Sequence, residues 1–274
     1  MNYKEINIVS SDPALQEQFI AMLGEQSFEG FEQLPKLLKA FIKEEDFNQE
    51  SFIKMMAGFA DVTYTSSSIE NRNWNEQWES SFQPVLINNF AGIRASFHKP
   101  LSEVKHEIVI TPKMSFGTGH HATTHLMIEL MATLDFSGKH VIDFGTGTGV
   151  LAILAEKLNA KSVDALDNDD WSIENAKENI AFNNCSHINL YKAETIANES
   201  AADIILANIN LNIITANLSN IYAACAETAD VLFSGLLVAD KENISPIISL
   251  EGFDITGYYE KDNWLAIKTK CKKS

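Results

Sequence analysis

The sequence predicts an α/β protein in which a doubly wound, mostly parallel sheet follows a small α+β domain of ferredoxin-like type. Three observations predict this fold class. Short apolar runs alternate with helical patterns from residue 140 onward, a glycine-rich turn at 145–149 joins an apolar strand to a helix, and the first 65 residues follow the order β-α-β-β-α-β.

The front of the chain supplies the elements of the smaller domain. Alternating apolar residues predict a strand over 3–9, and Pro13 suits the first turn of the helix that follows. Asn48 is a suitable cap for a second helix. The remaining strands are predicted over 28–34, 37–42 and 61–64.

A polar stretch separates the two predicted domains. Trp74 and Trp78 are spaced i, i+4, so they share one face if the stretch is helical. We therefore expect a ferredoxin-like domain over 1–65, a linker helix over 66–84 and the larger domain over 85–274.

The larger domain begins with short strands over 85–97 and 107–110 and then alternates strands with helices. Strands are predicted over 141–144, 162–166, 188–191, 203–207 and 231–233, with helices over 150–158, 171–184, 211–227 and 240–250. A closing hairpin over 253–259 and 264–269 adds an antiparallel edge. Ligands of such sheets bind beyond the carboxyl ends of the strands, so the candidate site residues are sought there.

Charge and composition limit the function classes. The formal net charge of −16 disfavours binding to nucleic acid and favours a basic protein partner. No apolar run is long enough to span a membrane, and three scattered cysteines fit neither a disulfide framework nor a zinc cluster. We expect a cytoplasmic monomer without a metal.

The turn after the first strand of the larger domain is the strongest ligand signal. Gly145 and Gly147 allow a ligand to lie against the backbone, and Asp143 is suited to accept hydrogen bonds from a cationic amine. This combination favours S-adenosylmethionine. A dinucleotide remains the alternative, because Gly147, Gly149 and Ala152 also fit the G-x-G-x-x-[GA] pattern and Asp167 follows Gly147 by 20 residues.

Polar residues also end the next three predicted strands. Asp167 is placed to bind both ribose hydroxyls, and Glu194 or the backbone beside it to meet the adenine, although Glu194 is equally typical of a solvated loop. Asn208 ends an apolar strand, where its carbonyl oxygen can orient an attacking amine. Asn210 is better placed to cap the next helix.

A second glycine turn lies upstream, in the sequence Phe116-Gly117-Thr118-Gly119-His120-His121-Ala122-Thr123-Thr124. It is typical of a lid over a bound nucleoside, with Phe116 as an apolar wall and Thr124 as a hydroxyl donor. His121 and His125 are spaced i, i+4 as metal ligands often are, but no acid or cysteine stands close by, so a metal is not expected.

These motifs together resemble the PrmA-type methyltransferases that modify bacterial ribosomal proteins. The resemblance rests on 116–124, on the Val141–Gly149 segment, on Trp74 and Trp78, and on the Asp167-Asn168-Asp169 and Ala207-Asn208-Ile209 segments, and it covers nearly the whole chain. It implies a Rossmann-like class I methyltransferase domain. Thr124, Gly145, Asp167 and Asn208 match family positions that contact the cofactor.

The resemblance further implies methyl transfer from S-adenosylmethionine to lysine ε-amines and the N-terminal α-amine of the stalk-base protein, number eleven, of the large ribosomal subunit. The front domain would recognise that protein. Other readings stay open on the residues alone: a methyltransferase for a different protein, a small molecule or RNA, a nicotinamide-dependent oxidoreductase, or a catalytically silent docking protein.

Overall fold

The computed structural model describes residues 3–24, 26–59, 62–69, 82–113, 117–196 and 201–273. The chain divides into two compact units, Met1–Phe82 and Gln83–Ser274. Within the described ranges, no helix is long and apolar enough to cross a membrane.

The front unit has the predicted ferredoxin-like topology. Its four strands pair antiparallel in the order β2-β3-β1-β4, and two helices complete the βαββαβ order. Asn48 caps α2 by accepting a hydrogen bond from the Ser51 amide, as predicted. The elements are β1 (Tyr3–Val9), α1 (Pro13–Gly24), β2 (Gly30–Leu34), β3 (Leu37–Lys43), α2 (Gln49–Met56) and β4 (Thr63–Ile69).

Aromatic and aliphatic side chains from both layers form the core of the front unit. Ile6 and Ile8 on β1 are fully buried and pack with Phe19 of α1 and Phe52 of α2. The three serines of β4 belong to a strand rather than to the predicted polar connection, so the expected boundary at residue 65 falls inside β4. Most of the predicted linker helix, including Trp74 and Trp78, lies outside the described residues.

Three short strands open the back unit, namely β5 (Val85–Ile87), β6 (Ala91–Ala95) and β7 (His106–Ile110). They form a small separate sheet in which β6 and β7 run parallel. Arg94 holds this sheet together, because its guanidinium donates to both carboxylate oxygens of Glu107 and to the carbonyls of Ala95 and His98. The extension of β7 leads toward the second glycine turn.

The main sheet has seven strands in the order β10-β9-β8-β11-β12-β14-β13. All neighbouring pairs are parallel up to β12, and β14 runs antiparallel between β12 and β13. The elements are α3 (Ala122–Met131), β8 (His140–Phe144), α4 (Val150–Lys157), β9 (Ser162–Asp167), α5 (Asp170–Phe182), β10 (Ile188–Lys192), β11 (Ala202–Asn208), α6 (Leu211–Ala224), β12 (Cys225–Leu237), a 3₁₀ turn (Val238–Asp240), α7 (Lys241–Leu250), β13 (Phe253–Lys261) and β14 (Trp264–Lys272).

One sequence expectation differs from this sheet and another is confirmed. The helix predicted over 211–227 ends at Ala224, and β12 begins at Cys225, because that residue pairs with Ala202 of β11 and tertiary pairing overrides local helix preference. The closing hairpin adds the predicted antiparallel edge, because β14 pairs antiparallel with β12 and β13 is the outermost strand.

Candidate active site

A cavity of about 810 Å³ opens beyond the carboxyl ends of the parallel strands, as predicted for the ligand site. Its volume lies within the roughly 300–1,000 Å³ usual for small-molecule sites. The residues that line it include Gly145, Gly147, Asp167, Asn168, Glu194, Asn208, Gly235 and Trp264, with His121 and Thr123 from the start of α3.

The first glycine turn forms the floor of this cavity between β8 and α4. Gly145 has a φ of 77°, and a Cβ there would lie 2.2 Å from Cγ2 of Ile209. A side chain at this position would therefore be strained and would also collide with Ile209. The Gly147 amide donates to Oδ2 of Asp167 at 2.9 Å, which joins the turn to the end of β9.

Asp167 is held in place by two backbone amides. Besides Gly147 at Oδ2, the Asp169 amide donates to Oδ1 at 3.1 Å. Asp169 in turn caps α5 by accepting from the Ser172 amide. Each carboxylate oxygen of Asp167 keeps acceptor capacity for a ligand hydroxyl, as its predicted ribose-binding role requires.

Asn208, the last residue of β11, lines the cavity with an unused acceptor. Its Oδ1 is buried and has no hydrogen-bond partner, whereas a buried acceptor is normally paired. Asn210 performs the capping role predicted for it, because its side chain accepts from the Ile213 amide at 3.1 Å. Of these two asparagines, Asn210 caps a helix, whereas Asn208 has an amide oxygen that is free to accept from a ligand donor.

Asp143 lies beneath the glycine turn and is not among the lining residues. It is 1% exposed, and its Oδ2 accepts from Thr146 Oγ1 at 2.6 Å and from the Ala152 amide at 3.1 Å. Burial raises the pKa of its carboxyl group to about 7, and the nearby Asp167 charge adds to that rise. The contacts of Oδ2 therefore hold the turn, whereas Oδ1 is buried without a partner, and the predicted contact with a ligand amine stays a prediction.

The start of α3 also differs in detail from its prediction. Thr123 lines the cavity, whereas Thr124 is fully buried, is not a lining residue, and has an Oγ1 without a partner. His121 caps α3, because its Nδ1 accepts from the Thr123 amide and lies 2.8 Å from Thr123 Oγ1. Nδ1 of His125 lies 3.5 Å from Oε2 of Glu129. Within the described ranges, no three potential metal ligands cluster together.

Of the other predicted residues, Glu194 lines the cavity and is exposed, while Phe116 lies outside the described residues.

Trp264 and Gly235 are among the lining residues that the sequence analysis did not assign to the site. Trp264 begins β14, and its ring lies 4.5 Å from that of His121, centroid to centroid. Gly235 has a φ of 84°, and a Cβ there would lie 2.3 Å from the Ile209 carbonyl oxygen. A lone glycine in an apolar strand is a recognisable sign of close backbone approach, so Gly235 had a local signal, whereas Trp264 enters the site through strand pairing alone.

The charges of the cavity discriminate between the candidate cofactors. Its two carboxylates, Asp167 and Glu194, follow β9 and β10, and the described lining residues include no Lys or Arg. A pyrophosphate would find no cationic partner among them. A nucleoside with free hydroxyls and a cationic side chain fits the two carboxylates, so the site fits S-adenosylmethionine better than a dinucleotide.

Comparisons with known proteins identify a family that matches nearly the whole chain. Residues 5–272 match the family described as "Ribosomal protein L11 methyltransferase (PrmA)". A protein of that description from Phocaeicola vulgatus is 37% identical, covering 98% of this chain and 99% of the relative, and one from Chlorobaculum tepidum is 40% identical over 95% and 94%. A crystal structure titled as a ribosomal protein L11 methylase, from Lactobacillus delbrueckii subsp. bulgaricus, superposes with a TM-score of 0.65 at 28% identity, covering 70% of this chain and all of that one.

Proposed function

The chain belongs to the PrmA family of ribosomal protein L11 methyltransferases, and we propose that it methylates lysine ε-amines and the N-terminal α-amine of that protein. It is a methyltransferase that uses S-adenosylmethionine. The observation that carries the proposed acceptor chemistry is the buried, unpaired Oδ1 of Asn208 in the cavity, because an amine N–H is the donor which that atom lacks.

The cofactor would be held at the β8–β10 side of the cavity. Asp167 would accept hydrogen bonds from the ribose hydroxyls through a carboxylate that two backbone amides already fix, and Glu194 would lie beside the base. The glycine turn leaves room for the ligand because Gly145 and Gly147 carry no side chain. When bound, S-adenosylmethionine supplies a methyl group that its sulfonium charge makes electrophilic.

The acceptor amine approaches from the β11 side. Asn208 Oδ1 would accept a hydrogen bond from one N–H of this amine and so orient the nitrogen lone pair for attack on the transferred methyl group. Among the described lining residues on this side, namely those of α3, β11, α6, β12 and β14, there is no carboxylate or lysine. This uncharged wall favours the neutral amine over the ammonium, so desolvation lowers the pKa of a lysine from its free value of about 10.4, and the proton leaves to water.

Recognition of the ribosomal protein belongs to the front unit. Residues 1–82 carry fourteen acids against six lysines and arginines, so this unit attracts a lysine-rich partner. Its ferredoxin-like sheet is a separate compact body from the cofactor-binding unit. We place the reaction in the cytoplasm, where a ribosomal protein is made and assembled, and expect a single chain to carry it out.

Mass spectrometry of the ribosomal protein, after incubation with enzyme and S-adenosylmethionine, tests the proposal. We expect mass increments of 14 Da per methyl group, and peptide fragmentation should place them on lysine ε-amines and the α-amine. Methyl groups on other residue types, or none, would contradict the amine assignment.

The role of Asn208 is tested with the Asn208→Ala variant. Loss of one preorganised polar contact at the reacting centre should lower kcat by about 100-fold while S-adenosylmethionine still binds. Asn220→Ala is the matched control, because it removes an amide on α6 that does not line the cavity. Full methylation by Asn208→Ala would rule out the orienting role.

A further inference from the structure

Three asparagines, two on α5 and one that caps its C-terminal end, face the same stretch of backbone. Asn175, Asn179 and Asn183 are spaced by four residues, so they lie along one side of the helix. Asn183 both accepts from the Val109 amide and donates to the Val109 carbonyl, and Asn175 donates to the Thr111 carbonyl. These side-chain amides therefore form hydrogen bonds with backbone N–H and carbonyl groups of β7 and its extension, as a neighbouring strand would.

Asn179 has an additional contact that neither neighbour makes. Its Oδ1 accepts from the Thr111 amide at 2.7 Å, and its Nδ2 donates to the Thr148 carbonyl at 2.8 Å. Asn179 is fully buried. A single amide thus connects three segments: α5, the extension of β7, and the glycine turn that forms the floor of the cavity.

Thr148 extends these hydrogen bonds to the second glycine turn. Its Oγ1 donates to the Gly117 carbonyl at 2.7 Å, and it too is fully buried. Gly117 lies in the second glycine turn, which leads into α3 and its lining residues His121 and Thr123. The hydrogen bonds therefore run from α5 through the first glycine turn to the second.

We propose that Asn179 is a positioning residue for S-adenosylmethionine, which fixes the spacing of the two glycine turns before the cofactor arrives. This rests on the proposed function, because it takes the turn at 145–149 as part of the cofactor site. A primary amide suits the position because it offers an acceptor to Thr111 and a donor to Thr148 at once. The two glycine turns are therefore already ordered in the folded protein. Cofactor binding does not have to compensate for the conformational entropy lost on ordering them.

Asn183 provides the matched control. Its amide caps the same helix and pairs with the same β7 segment through two hydrogen bonds. Its Nδ2 also donates to the backbone carbonyl of Asn179, but none of its described hydrogen bonds reaches either glycine turn. If Asn179 only supports the fold, alanine at 179 and alanine at 183 should have the same kind of effect. If it positions the cofactor site, only the change at 179 should weaken binding.

The experiment measures the Kd for S-adenosylmethionine by calorimetry, together with thermal unfolding and amide hydrogen exchange of the cofactor-free protein. We expect Asn179→Ala to raise the Kd at least tenfold, and Asn183→Ala to leave it within twofold while also lowering the Tm. The Thr148 and Thr111 regions should exchange faster in Asn179→Ala than in Asn183→Ala. An unchanged Kd in a folded Asn179→Ala protein, or equal Kd shifts in both variants, would overturn the proposal.

Thr148→Val provides a second route if Asn179→Ala does not fold. This nearly isosteric change removes only the hydroxyl that reaches Gly117. We expect it to raise the Kd at least fivefold, and an unchanged Kd would refute the proposed connection. If the wild-type chain does not bind S-adenosylmethionine, the proposed function fails, and faster exchange at Thr111 and Thr148 in Asn179→Ala still shows whether the amide holds the turns.

Discussion

Asp143 can be identified from the sequence as a residue near the site, but its hydrogen-bond partners cannot. An acid before a glycine turn predicts a ligand contact, yet the structure buries this carboxylate under the turn and commits Oδ2 to Thr146 and Ala152. Its other oxygen is buried without a partner. The sequence spacing predicts that Asp143 lies near the site. Whether its side chain faces the cavity or the core depends on the packing around β8, which cannot be derived from the local sequence.

The raised pKa of Asp143 predicts a pH dependence of stability. Burial raises the pKa to about 7, above its value in the unfolded chain, so the folded state binds the proton more tightly. Protonation therefore stabilises the fold, and this contribution is lost as pH rises from about 4 to about 7, by at most about 1.4 kcal/mol per pH unit. Above pH 7 no further loss from this group is expected.

Urea denaturation of wild type and Asp143→Asn between pH 4.5 and 8 measures this effect. The variant has no proton to lose at this position, so the difference in unfolding free energy between the two proteins should change across that range and level off above pH 7. Glu103→Gln, at an exposed carboxylate, is the control and should run parallel to wild type. Parallel curves for Asp143→Asn as well would contradict the prediction.

At the scale of elements, β12 carries an irregularity that shapes the site. The pairing of β12 with β14 shifts register between Phe233 and Leu236, and Gly235 lies within that shift with its backbone against Ile209. The strand itself was predicted from its apolar run. Its length and its bulge depend on pairing with β11 and β14, so they could not be derived from the run alone.

Gly235→Ala should therefore be far more harmful than an alanine at another glycine of similar backbone conformation. Gly138 has a φ of 71° and nothing within 4 Å of a Cβ, so Gly138→Ala should cost only the left-handed strain of about 1–2 kcal/mol. Gly235→Ala adds a collision with backbone, which should cost at least about 2 kcal/mol more and displace Asn208, lowering kcat. Chemical denaturation and methylation rates check both, and equal losses of stability would show that Ile209 does not confine Gly235.

At the scale of the whole molecule, charge is the dominant feature that the sequence alone supplies. The net charge of −16 creates a field that attracts a basic substrate over distances set by the ionic strength. The order of strands and helices could also be predicted, because each element has its own periodicity. The order of the two hairpin strands within the sheet could not, because nothing local shows whether β13 or β14 lies next to β12.

The charge predicts a salt dependence of catalysis. Raising the salt concentration from about 50 to 300 mM should lower kcat/KM for the ribosomal protein by about tenfold, mainly through slower association. The Kd for S-adenosylmethionine, measured over the same range, should change much less and serves as the control. A flat kcat/KM would mean that the acidic surface plays no part in substrate capture.

The position of β14 also determines the order in which the strands at this edge of the sheet can pair during synthesis. β13 is synthesised before β14, yet β14 is its neighbour in the sheet and separates it from β12. The edge of the sheet therefore cannot close until Trp264–Lys272 has been made. Because Trp264 also lines the cavity, the cavity lacks this part of its lining until β14 has been made and has paired with β12.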